Sequence, residues 1–433
     1  MKKVLSTAAA LGFCLYLPVA AFAGGPMATD DAVARELQDL RSQLANQQAE
    51  IDMLKEQKVA PAVAPDLSRL DAFEKENWVH ALKKKVDVTL YGQVNKAVMF
   101  ADDGHDDDVF FVDNAIAGTR LGVTAKSKLN EEFSTGAQLE FEWTQNNSSA
   151  VNMADDNPGE TNNDAKKRQM KVWGQSQTAG KLTLGHGSVA ADGIAQIDLS
   201  GTSIAGRTDA ANGAAFLFFD QTGAGAYSDI NVGKVIGDLD GGRKDHLRYD
   251  SPTFFGVTLS GTTAEGNYND VAVGYAGTFS DTKVQAGVAY TWEPAGAVEN
   301  IVVGSASVLL PFGLNFTAAA GEKQFTNAAF EDGFFWYGKA GYQMKALTVG
   351  STAFSVAYGE YDDLAGAAFR TGNVLNKMYE ATSWGAEMVQ KFDALNTEFY
   401  VAYRLYELDE YNSVTVTDYD NISLVWSGAR FSF

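Results

Sequence analysis

Residues 282–292 read TKVQAGVAYTW. Val284, Ala286, Val288, Tyr290 and Trp292 fall on one side of an extended chain; Lys283, Gln285, Gly287, Ala289 and Thr291 fall on the other. Side chains alternate across a strand, so this stretch is a strand with one greasy and one mostly polar face. The pattern recurs. In GAQLEFEW, Ala137, Leu139, Phe141 and Trp143 oppose Gln138, Glu140 and Glu142. In TEFYVAYRL, Phe399, Val401, Tyr403 and Leu405 oppose Glu398, Tyr400, Ala402 and Arg404. The last residues, SLVWSGARFSF, set Phe431 and Phe433 against Arg430 and Ser432.

From Val86 onward there are about sixteen such segments of roughly 8–14 residues, the length of tilted bilayer-spanning strands. Short links (QTAG, SPTFF, FSD, PF, DAL) alternate with long polar ones (ADDGHDDDVFFVDN, the stretch around NNSSAVNMADDNPGETNNDA, and YDDLAGAAFRTGNVLN). An even strand number with tight turns at one end and long loops at the other marks an outer-membrane barrel. Lipid offers no partner to an unpaired backbone N–H or C=O, so a membrane-crossing sheet must close on itself. A water-soluble sandwich also alternates, but it needs neither export nor loops segregated to one end. Phe431 and Phe433 are then expected to face lipid and Arg430 the lumen.

Composition agrees. In 433 residues there are 42 Gly, 26 Phe, 17 Tyr and 7 Trp but only 8 Pro, a mixture suited to aromatic-bearing strands. The net charge of −21 argues against nucleic-acid partners, which need a basic footprint. Residues 1–23 carry Lys2 and Lys3, an apolar run from Leu5 to about Ala20, and Ala21-Phe22-Ala23, the form of a secretory signal with its cleavage site. Cys14, the one cysteine, lies inside that run behind bulky Phe13, which disfavours a lipoprotein anchor.

Residues 24–60 read as a helix. Leu37, Leu40, Leu44, Gln47, Ile51 and Leu54 alternate at spacings of three and four, a heptad seam that implies self-association in the periplasm. Residues 61–85, opening within the Pro-Ala-rich KVAPAVAP, form a linker to a barrel domain at 86–433.

LYGQ (90–93), TRLGVTAKSKLNEEFSTGAQLEFEW (119–143), GKLTLGHG (180–187), RYDSPTFFG (248–256) and the terminal Phe433 stand in a characteristic order. With them the chain resembles the trimeric general porins of Gram-negative outer membranes, from about Val86 to its end. The N-terminal coiled coil is not part of that family's usual pattern, although some sugar-specific porins carry a similar periplasmic extension. The resemblance implies a homotrimer in the outer membrane, among lipid and lipopolysaccharide, passing ions and small hydrophilic solutes with no cofactor. It also implies that the third long loop, Ser188 to about Lys244, folds inward and sets acidic residues against a basic wall. The expected lumen set is Arg120, Glu140, Glu142, Lys171, His186, Asp192, Asp198, Asp209, Arg248 and Arg404. Alternation supports two of these independently: Arg120 is out of phase with Leu121 and Val123, and Glu140 with Leu139 and Phe141.

Departures from the family pattern are plain. Gly185-His186 stands where Gly-Arg is usual, Gln93 where lysine follows Tyr-Gly, and the loop lacks a proline-acid-glycine signature. In KRQMKVWGQ, Lys167, Gln169, Lys171 and Trp173 share a face, while Arg168 falls in phase with Met170 and Val172, one residue off the expected register. The aspartates around His105 match no calcium-loop spacing and read as a solvated loop. His80, His105, His186 and His246 sit in no nucleophile or zinc motif, so no enzyme is expected. Two alternatives accompany the general pore: a substrate-specific channel, and a tether reaching the cell wall through the coiled coil.

Overall fold

The computed structural model describes residues 86–158, 165–222, 225–293, 296–327, 330–365, 378–411 and 416–433, with Gln38, Ser42 and Ala45 as isolated helical positions ahead of them. The signal (1–23) and linker (61–85) and, apart from those three positions, the coiled coil (24–60) lie outside the described residues.

Twenty strands are described. β1 (Val86–Asp102) and β2 (Asp107–Asp113) form a first hairpin, followed by β3 (Arg120–Lys128), β4 (Phe133–Glu142), β5 (Lys166–Ser176) and β6 (Gly180–Ser188). β7 (Leu217–Asp220) and β8 (Ala226–Asn231) form a separate two-stranded sheet, inside the segment leading to β9 (Arg243–Asp250). Next come β10 (Val257–Ala264), β11 (Tyr268–Phe279), β12 (Thr282–Trp292), β13 (Val298–Leu309) and β14 (Leu314–Phe325). β15 (Gly333–Leu347), β16 (Gly350–Asp362), β17 (Met378–Phe392), β18 (Thr397–Tyr411), β19 (Val416–Asp418) and β20 (Ile422–Ser432) finish the chain.

Sixteen of these strands close an antiparallel barrel; β2 and β19 only extend β1 and β18 at the loop end. The seam joins β1 to β20, from Gln93↔Ser432 to Asp102↔Ser423. Paired amides of Gly92 and Phe433 continue it by one step, at 2.9 and 3.0 Å. With both edges paired, no backbone row is offered to lipid. Among the described residues no helix is long and apolar enough to cross a membrane. β1, β15, β17 and β18 reach 15–17 residues, longer than the sequence implied.

The outer face is apolar, as the alternation required. Leu184, Val172 and Val356 stand exposed in mid-strand. Phe133, Phe255, Phe279, Phe312 and Phe433 ring the short-turn end, the arrangement of an interfacial aromatic girdle. Phe431 and Phe433 are 49% and 53% exposed while Arg430 turns in to pair with Glu398, as expected.

The interior is not empty. Phe216, Phe218, Val232, Val235 and Ile236 of the β6–β9 segment join Met99, Phe110, Leu424 and Trp426 of the inner wall in one buried cluster. Phe110 meets Phe216 edge-on, with centroids 5.5 Å apart. Their burial gives the segment its own apolar anchor.

Candidate functional site

The segment between Ser188 and Arg243 lies inside the barrel, and the contacts of its successive residues follow the inner wall. Ala190 N and Ala191 N donate to Thr262 and Asp270 of β10 and β11, both at 2.8 Å. Leu199 N donates to Ser307 of β13 at 2.9 Å, and Thr202 shares a 2.6 Å hydrogen bond with Ser355 of β16. Further along, Tyr361 donates to Thr208 O at 2.6 Å and Tyr406 to Asn212 O at 3.2 Å. The small hydroxyls on these inner faces are what lets the segment's backbone satisfy its polar groups away from water.

Two ion pairs sit beneath it. Lys339 of β15, whose side chain is 0% exposed, reaches Asp198 at 2.9 Å and Gly206 O at 2.8 Å. Arg404 of β18, equally enclosed, holds Glu387 at 3.2 Å, Ser383 at 2.9 Å and Arg207 O at 3.1 Å. Asp198 and Arg404, expected to line open water, are therefore clamps for the segment. A long segment held inside a barrel needs fixed points, and buried charges satisfied on every side supply them. Arg248 does the same at the root, bonding Val189 O at 2.6 Å and Asp250 at 2.7 Å.

In the ring of sixteen, β15 and β5 stand eight places apart, so the wall facing the seated segment is centred on β5. That wall carries Arg120, Glu140, Glu142 and Lys171, and also Arg168. Arg168 departs from the sequence reading because the β4–β5 register shifts: Glu140 pairs with Gln169 but Phe141 pairs with Lys167. Arg168 is the extra residue of that bulge. A bulge re-aims one side chain, and this one sends the guanidinium inward to Glu140 at 2.8 Å and to Glu142. Lys167 is correspondingly turned outward, onto Asp245 at 3.0 Å. Glu140 also accepts from Tyr91 at 2.9 Å and lies 3.9 Å from Arg120. Both glutamates thus belong to the basic wall and partly neutralise it; they do not oppose it.

His186 is the other correction. It sits opposite the outward-facing Met170, in phase with Leu182 and Leu184, and its partner Asp245 lies 3.4 Å away on β9, out of phase with inward Arg248. The unbroken β6 register leaves it on the outer side of the barrel.

On the segment itself the acids cluster. Asp209 is held by both ends of Arg207, at 2.7 and 3.1 Å. Asp238 accepts from Gln196 and Thr208, each at 2.8 Å, and Asp240 accepts from Gly193 N at 2.7 Å beside Asp192. Burial, reinforced by Asp209, pushes the Asp238 carboxyl up to about 6. Burial, with Asp238 and Asp192 next to it, raises Asp240 to about 9. Both therefore keep protons that an exposed aspartate has lost. Their contribution to segment packing is present at low pH and is lost as pH rises through about 6 and then about 9. Charge appears in the same window. Cation preference, read as reversal potential under a salt gradient, is expected to increase between pH 5 and 9; Asp240→Asn is expected to flatten the upper part. A pH-independent reversal potential would contradict the cluster's role.

Lys339, Glu387 and Arg207 escaped the sequence reading. The available signal for Lys339 was a lysine in mid-strand, in phase with Phe335 and Tyr337.

Comparison with known proteins follows from this geometry. A family model described as Gram-negative porin matches residues 62–411. Among curated proteins none matches the sequence. An anion-selective porin from Comamonas acidovorans is similar in fold, with TM-score 0.55 at 17% identity over 81% of this chain and all of that one. OprB of Pseudomonas putida gives TM-score 0.52 at 11% identity, covering 83% of this chain and 97% of its own. A loop L8 deletion mutant of Vibrio cholerae OmpT gives 0.50 at 14%, covering 81% of this chain and 100% of its own.

Proposed function

This chain belongs to the Gram-negative porin family, a channel for passive diffusion in the outer membrane, and from that premise we propose that residues 189–242 constrict it. The observation that carries this reading is the row of contacts fastening the segment to β13, β15, β16 and β18, opposite a wall bearing Arg120, Arg168 and Lys171. A barrel of sixteen strands is too wide for its own side chains to fill, so what remains beside the segment holds water. Acids on the segment and bases on the wall then set a field across the path, with Asp192 and Asp209 on one side.

The reading includes a homotrimer, with lipopolysaccharide at the loop end and, as a second role, cell-wall tethering through residues 24–60. It involves no catalytic step. Conductance in a planar bilayer under a salt gradient tests the channel: steady ohmic steps are expected, and their absence would refute it. Unheated gel migration, compared with boiled chain, tests the trimer.

A further inference from the structure

Trp173 stands apart among the described tryptophans. Trp143, Trp336 and Trp384 are exposed on the outer face, Trp292 is partly covered in phase with outward Val288 and Tyr290, and Trp426 is buried in the interior cluster. Trp173 instead shares the inward face of β5 with Lys171 and Gln175, where it is only partly covered. The part of an indole left facing a watery lumen gains nothing from the hydrophobic effect.

Its pose is specified. Gly136 is its direct neighbour on β4, and a Cβ there would come within 2.4 Å of the indole Cζ2 and 2.6 Å of Cε2. The ring therefore lies across β4 because position 136 has no side chain. Lys126, next in the same row on β3, puts its ammonium 5.7 Å from the ring centroid, and Lys181 on β6 puts its own at 5.4 Å. Among the described residues neither lysine has a carboxylate partner. Two ammoniums beside one indole repel each other, and the ring quadrupole offsets that only partly. Lys181 also borders a cavity of about 750 Å³, together with Arg248, Ile194 and Gly274.

We propose that Trp173, Lys126 and Lys181 form a subsite for planar aromatic carboxylates in the half of the channel nearer the short turns. The carboxylate would lie between the two ammoniums and the solute ring would stack, offset, on the indole. This rests on the channel reading above and deepens it by naming a solute class.

The test uses the full chain in planar bilayers, with chloride current titrated by sodium benzoate and separately by cyclohexanecarboxylate, which has the same charge but no π-face. Benzoate is expected to block at the lower concentration. Trp173→Leu and, independently, K126Q/K181Q are expected to raise its half-blocking concentration at least about fivefold. Unheated gel migration confirms that each variant is folded, and the lysine pair keeps the indole should the leucine variant fail. Equal block by the two acids, or unchanged half-block in a folded variant, would overturn the subsite while the channel stands. No ohmic steps in the parent chain would overturn the channel reading instead.

Discussion

Lys339→Met should raise single-channel conductance and make the current noisy. Lys339 is enclosed, and its ammonium is shared between Asp198 and Gly206 O. The methionine fills the same space but leaves the Asp198 carboxylate buried without its counter-charge. Removing one member of a buried pair typically costs about 3–5 kcal/mol. Refolding the whole barrel is not the cheapest response, because strand pairing is untouched. Releasing residues 197–206 from the wall lets Asp198 reach water, and the segment then no longer holds its position across the lumen. A double variant, Asp198→Leu with Lys339→Met, replaces the pair by apolar groups and is expected to restore most of the quiet, low-conductance state. Unchanged conductance in Lys339→Met, in a chain that still migrates as folded, would show that this clamp does not position the segment.

The second large effect is expected at the seam. Deleting Arg430–Phe433 removes the pairings Asn95↔Arg430, Val94↔Phe431 and Gln93↔Ser432 on one side, and Thr397↔Phe431 and Glu398↔Arg430 on the other. The Phe433 ring also lies over Gly92, where a Cβ would come within 2.5 Å of it. Backbone groups of β1 and β18 would then face lipid, each at a cost of several kcal/mol. Glu398 would keep only Lys391, at 3.2 Å. The heat-modifiable folded band should be lost from membranes of cells making the truncated chain, while alanine at Ser432 alone should leave it intact. A truncated chain that folds and conducts like the parent would mean closure does not depend on these four residues.

Much of this was legible beforehand. Strand alternation placed Arg120, Glu140 and Lys171 inside and Phe431 and Phe433 outside, because a two-residue period leaves a side chain only two directions. Arg168 shows where that logic stops. One bulged residue inverts the phase of everything upstream of it on the strand, and the bulge is decided by pairing with β4, not by the KRQMKVWGQ stretch itself. His186 shows a different limit: its register is regular, and the family position that suggested a lumen role simply does not hold for an outward phase.

For this protein the amino-acid order alone pointed to the membrane, the closure and the inner and outer faces, since a period of two, long loops gathered at one end and the need to satisfy the backbone in lipid together fit a closed barrel. What only the tertiary structure decided is the division of labour among the charges. Asp198, Lys339, Glu387 and Arg404 became fasteners of the segment, and Asp238 and Asp240 became a proton-holding cluster. Each of those roles depends on which carboxylate meets which cation on another strand or loop, or shares a buried site with another acid, and Coulomb energy is set by distance and burial, neither of which is written in any single strand.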